Sequence, residues 1–316
     1  MTKPSSTDAA NKKLPRRIIR RRPKSAASKP DVYQIDPILL QKVLTDSSLP
    51  TAYSFEIEKT VQRCMQLNVS HIGLQMPEGL LLYATVLSDV LQQLTPCLDH
   101  VSIFTDVTYG ACCVEDIVAQ QLGCQLLVHY GHSCLIPLQH TVIPCLYVFV
   151  QITGWSVQHM VDCVVLTEQE RHVVQKEESD SDDVAAELHL SLLGTVQFRH
   201  ALAEAKELLE ATNLFASITI PQSKPLSPGE VLGCTSPTIA TPAACKTTTS
   251  RSIALFLADG RFHVEATLIA NPQLDACYRY DPYGQSLTQE VYGTFVAVVI
   301  VDSIEKHGSA HARSLC

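Results

Sequence analysis

The sequence predicts an α/β fold: repeated small parallel-sheet α/β domains behind a disordered basic N-terminal arm. Three observations carry this. Short apolar, strand-like runs alternate with stretches of helical apolar spacing, the pattern of βαβ units. Two stretches share a layout: a strand, a Gly loop with a Cys (Gly110-Ala111-Cys112; Gly233-Cys234), then a strand closing in Gly131-His132 or Gly260-Arg261. Such internal similarity marks a duplicated unit. Finally, 316 residues at 46% apolar suffice for two domains, or three small ones, with a sizeable core. The longest apolar runs, Cys145–Val150 and Phe295–Val301, fall far short of the roughly 18 residues a membrane helix needs.

The elements follow in order. Residues 1–35 form the arm. Residues 1–30 hold five Lys and five Arg against one Asp, a net of +9, which leaves −17 of the total −8 on the remainder. Prolines at 4, 15, 23 and 30 spoil an amphipathic helix. No apolar stretch of about 7–15 residues makes a secretory leader. The arm reads as a solvated tail, with nuclear import or RNA contact as alternatives. The acidic body argues against a nucleic-acid-binding core.

The first α/β domain is expected over 36–166. One or two helices span Asp36–Asn68, with Val43, Ile57, Val61 and Met65 on the apolar side. His71–Gln75 is a strand, Leu80–Leu94 a helix, and Val101–Phe104 the next strand. After Cys112, Val114–Leu122 is helical, Gln125–His129 a strand and Pro144–Gln151 another. In such sheets, functional groups gather past the carboxyl ends of the strands. Residues 167–188, with the run Glu177–Asp183, read as an acidic flexible insertion whose serines suit acidophilic kinases. The second α/β domain is expected over 189–292. Its strands are Leu190–Leu193, Ala216–Ile220 and Ser252–Leu257, with a helix over Thr195–Leu209. A tail, 293–316, closes the chain.

The twelve cysteines include no CxxC pair and no CxxxCxxC run, so zinc-ribbon and thioredoxin motifs are absent. Without a secretory leader a disulfide framework is not expected. Most cysteines read as buried thiols. Thiolates brought together by duplicated domains would suit an iron–sulfur cluster with one open iron, with zinc as the chief metal alternative.

Five segments occur in a recognisable order: Val107–Cys113, Val128–Cys134, Lys224–Glu230, Leu232–Pro237 and Asp259–His263. With Gln75–Gly79 and Tyr278–Tyr283, they resemble the subunit 1 family of 2-(3-amino-3-carboxypropyl)histidine synthase, from about Asp36 to Tyr292. The resemblance implies three related α/β domains, each giving one Cys to a [4Fe–4S] cluster. Cys112 matches the first ligand and Cys234 the second. It also implies S-adenosylmethionine as substrate, cleaved at the Cγ–S bond by an electron from the reduced cluster. The resulting 3-amino-3-carboxypropyl radical adds to C2 of a histidine imidazole in elongation factor 2, the first step of diphthamide synthesis. Lys224, Asp259, Arg261 and His263 are candidates for positioning S-adenosylmethionine, with structural roles for Asp259 and His263 left open. Cys113 and Cys134 are expected to pack beside the cluster loop. The implied partners are subunit 2 of the same synthase as heterodimer partner and a small metalloprotein electron donor. The expected location is cytoplasmic, with a nuclear share left open by the arm.

The sequence departs from the family pattern after Tyr292. The tail is expected to stand in place of the third domain, so only two of the family's three are present. Cys277 and Cys316 are substitute ligands by residue type only. Two thiolates hold such a cluster poorly, so activity is expected to be impaired. The alternative is a non-catalytic subunit that binds its partner without a competent cluster. Thr105 and Ala258 also stand where the family usually shows Gly, and a Cβ there narrows the backbone's choices.

Overall fold

The computed structural model describes residues 33–105, 113–135, 137–178, 187–240, 250–293 and 298–301. The first unit opens with α1 (Pro37–Asp46), where the Asp36 carboxylate accepts from the Ile38 N–H at 2.9 Å and Pro37 takes the first helical position. Then come β1 (Tyr53–Ser54), α2 (Ile57–Leu67), β2 (His71–Gln75), α3 (Ala84–Leu94), β3 (His100–Phe104), α4 (Asp116–Gln121), β4 (Leu126–Tyr130) and β5 (Cys145–Val148). A 3-10 turn, Glu78–Tyr83, takes the first part of the run expected as one helix from Leu80. The strand expected over Pro144–Gln151 is broken: Val150 adopts φ +52°, and β6 (Gln151–Ile152) leaves to pair with β1.

The second unit contains α5 (Val157–Glu178), β7 (Glu187–Gly194), α6 (Ala201–Ala211), β8 (Ser217–Thr219), β9 (Ser250–Leu257), α7 (Phe262–Ala270) and β10 (Ala276–Asp281). It ends in β11 (Ser286–Glu290) and β12 (Val298–Val301). The first sheet has the order β3-β2-β4-β5, all parallel. The second runs β8-β7-β9-β10 in parallel and then adds β11 and β12 antiparallel. Numbered within its own unit, each parallel sheet has the same order: second, first, third, fourth. The duplication expected from the loops is therefore present in the topology. Each sheet is covered on both faces, as parallel sheets require. Ile72, Leu74, Leu87 and Leu91 fill one face of the first sheet, and Phe104, Ala119 and Leu127 the other. In the second, Leu190, Leu202 and Val161 fill one face, and Phe256, Val264 and Cys277 the other.

The segment 167–188 needs correction as a flexible insertion. Helix α5 runs through Glu178, and β7 starts at Glu187. Glu168 is buried, paired with Arg251 at 2.9 Å and accepting the Tyr278 hydroxyl. The inner face of α5 (Val157, Met160, Val161, Val164) packs in the core of the second sheet. The first domain therefore closes near Ile152 rather than at 166. Residues 179–186 lie outside the described residues, as do 1–32, 294–297 and 302–316, including Cys316.

Candidate functional site

The reversal of strand order between the first and third strands of a parallel sheet opens a crevice past their carboxyl ends. In the first unit these are the ends of β2 and β4. Cys112 lies outside the described residues. The chain just after it is held from β2: Gln75, 1% exposed, donates from Nε2 to the Cys113 carbonyl at 2.6 Å. Its Oε1 accepts from the Glu115 N–H at 3.1 Å and from His129 Nδ1 at 3.2 Å. A buried amide with both ends satisfied in this way fixes the three segments it joins.

In the second unit the backbone does this work. The Gly194 N–H donates to the Gly229 carbonyl at 2.8 Å, and the Val231 N–H to the Gly194 carbonyl at 3.1 Å, so the chain runs on as a rung beside β7. Gly229 has φ +77°, and a Cβ there would lie 2.2 Å from Leu202. Leu232 and Thr235 then exchange two backbone hydrogen bonds, of 2.9 and 3.1 Å. This two-residue turn presents Gly233 and Cys234, and Cys234 is exposed. The Phe262 ring lies so close to Gly233 that a Cβ would meet it at 2.0 Å. Phe262 thus ties the Cys234 turn to the loop after β9.

The two crevices share a seam. The Ser133 hydroxyl donates to the Glu230 carboxylate, Gln197 Nε2 donates to the Gly131 carbonyl, and the Ile152 N–H donates to the Gln197 carbonyl at 3.1 Å. The Tyr53 and Tyr283 hydroxyls bond at 2.9 Å. The His132 and His263 rings stand 6.5 Å apart, one from each unit. Burial lowers the pKa of both below the ordinary imidazole value. For His132, the Ser133 carbonyl and Glu230 oppose the shift. For His263, His132 reinforces it and Asp259 opposes it. Near neutral pH both rings are uncharged, able to donate or accept one hydrogen bond each.

The other residues singled out in the sequence are placed as follows. Lys224 and Asp259 are exposed at the carboxyl-end loops of the second sheet, and His263 is half-buried at the seam. Arg261 already has protein partners: Glu265 at 3.0 Å, Glu290 at 3.2 Å, and the Val291 carbonyl at 2.7 Å. Glu290 is buried and also takes Arg279 at 2.9 Å. Cys277 fails as a substitute ligand. It is buried with Phe256 and Val264, and burial followed by Glu290 pushes its thiol up to about 12. Burial likewise pushes Cys64, Cys145 and Cys163 up to about 12, so these thiols remain protonated. Among the described residues, no three His, Cys, Asp or Glu side chains form a metal-holding group. No helix there is long and apolar enough to cross a membrane.

Sequence reading gave no individual role to Gln75, His132, Ser133 or Glu230. The available signal was a polar side chain inside otherwise apolar segments: Gln75 closing His71–Gln75, and Glu230 before Val231-Leu232.

The family model for putative diphthamide synthesis proteins matches residues 76–298. A Nematostella vectensis 2-(3-amino-3-carboxypropyl)histidine synthase subunit 1 is 42% identical over 269 residues, covering 85% of this chain and 51% of that protein. The Mus musculus protein of that name is 43% identical over 246 residues, 77% of this chain and 49% of its own length. The chain thus spans about half the length of the curated relatives it matches. The crystal structure of Dph2 from Pyrococcus horikoshii superposes with a TM-score of 0.52 at 24% identity, over 74% of this chain and 60% of that one. The same protein with a 4Fe-4S cluster gives 0.53 at 24% identity, over 75% and 61%. These structures show a shared fold.

Proposed function

Because this chain belongs to the diphthamide synthesis protein family, whose model matches residues 76–298, we propose that it serves the first step of diphthamide synthesis. That step moves a 3-amino-3-carboxypropyl group from S-adenosylmethionine to C2 of a histidine imidazole in elongation factor 2. The observation that carries this reading is the repeated strand order. In sequence, Cys112 falls between β3 and β4 and Cys234 between β8 and β9, the connection from second to third strand in each unit.

Cys234 fits a soft-metal ligand: an exposed cysteine on a two-residue turn closed by the Leu232–Thr235 backbone bonds, beside Gly233. A [4Fe–4S] cluster held by Cys112 and Cys234 would supply one electron to break the Cγ–S bond. The chain's own residues would orient the substrate, since the position of the bond in the site decides which one breaks. Lys224 and Asp259 offer charges for the methionine carboxylate and amine. His263, uncharged at the seam, offers a hydrogen bond. Arg261 would act with Glu290 holding its guanidinium in place. The partners in this reading are elongation factor 2, subunit 2 of the synthase and a small metalloprotein electron donor, in the cytoplasm.

The test is product analysis. Reconstituted and reduced anaerobically, then given S-adenosylmethionine and elongation factor 2, the protein should release methylthioadenosine and add mass to the factor. Finding 5′-deoxyadenosine as the main product rejects the reading. A second reading is a subunit that binds its partner without a competent cluster. It is favoured by the burial of Cys277, a candidate further ligand, among Phe256 and Val264. Co-purification with subunit 2 in iron-free form, without product, would support it.

A further inference from the structure

Glu230 is 1% exposed, and among the described residues no ion pair joins it. Both of its oxygens are taken by neutral donors. Oε1 accepts the Ser133 hydroxyl, and Oε2 accepts the Ser227 N–H at 3.1 Å. A buried carboxylate without a cation is costly unless its hydrogen bonds are in place. Here those bonds join two units. Ser133 follows β4 in the first, beside His132, and Ser227 precedes Gly229 in the second. Glu230 itself pairs with Gly194 at the end of β7 and lies four residues before Cys234. Only two residues, Val231 and Leu232, separate it from the Gly233-Cys234 turn.

We propose that Glu230 is a positioning residue that registers the Cys234 turn against the His132–Cys134 loop of the first unit, through Ser133. Its catalytic meaning rests on the function proposed above. The coupling itself does not.

The experiment is amide hydrogen exchange on the full chain carrying Ser133→Ala or Glu230→Gln. Ser133→Ala alters only the first unit, yet it should speed exchange across 229–235 by about fivefold, the worth of one hydrogen bond. Glu230→Gln keeps one acceptor oxygen and should give a smaller rise in both loops. Faster exchange in 131–135 alone after Ser133→Ala would overturn the proposal. In the reconstituted protein, Ser133→Ala should shift the paramagnetic line shape of the reduced cluster while iron content holds, which a purely structural serine would not do. An unchanged line shape alongside coupled exchange would reject the positioning role. If the unsubstituted protein takes up no iron, the proposed function fails, and the exchange data still decide the coupling.

Discussion

In the first unit a side chain holds the cysteine loop; in the second the backbone does. Gln75 reaches from β2 to the Cys113 carbonyl and the Glu115 N–H. At the matching slot, Gly229 and Val231 bond to Gly194, and Phe262 backs Gly233. One strand order thus supports two ways of fixing a loop. The difference follows the connections. The first unit spans from β3 to β4 with a short helix, α4. The second passes from β8 through a chain that borrows its first rung from the sheet. A duplicated topology preserves where a loop emerges, not the contacts that hold it there.

The comparison can be broken from either side. The largest effect is expected at Gly229→Ala. The new Cβ meets Leu202 at 2.2 Å at φ +77°, and overpacking plus left-handed strain should cost about 4 kcal/mol. Urea unfolding measures this, and a loss below about 1 kcal/mol would mean the rung does not hold the loop. Gln75→Leu comes next. It strands the Cys113 carbonyl and the Glu115 N–H and removes the acceptor of His129 Nδ1, at a cost of about 3 kcal/mol, and exchange should rise first at 113–115. Gly233→Ala should cost only about 1 kcal/mol, because the Phe262 ring is exposed and can swing away. Adding Phe262→Ala should recover most of that, and a double-mutant cycle reads the coupling.

The smallest expected effect is that of pH. His132 and His263 have lowered pKa values in the fold, against 6.5 for the free group. Their neutral burial contributes stability that is full above that value and is lost as pH falls below it toward the folded values. Unfolding midpoints should therefore drop between neutral and mildly acidic pH, and His263→Gln should flatten the drop. A midpoint that rises on acidification would show that the rings gain charge at the seam.

The strands of the first sheet were legible because each is a short apolar run closed by turn residues. Helix α5 was not. Its second half is polar, and the burial of Glu168 makes sense only with Arg251 and Tyr278, far along the chain. The hairpin β10–β11 was missed because Arg279 and Asp281 interrupt its apolar residues, and the partners of Arg279 lie across the pair. The site was legible as loops and cysteines, since glycine and thiol chemistry is local. The seam was not. Nothing near Glu230 in sequence points to Ser133, and nothing near His132 points to His263. Arg261 stood out as a charge, but sequence could not show that Glu290 already holds it.

The account turns on Cys112 and Cys234 serving one centre. The direct measurement is iron and sulfide content, with the paramagnetic spectrum of the reduced state, after anaerobic reconstitution of the unsubstituted chain and of Cys112→Ala and Cys234→Ala. The account predicts iron, sulfide and a reducible cluster signal in the unsubstituted chain, at less than full loading because two thiolates hold the cluster poorly, and loss of iron in either variant with the fold intact. Zinc in place of iron, or an iron signal indifferent to both substitutions, would contradict it.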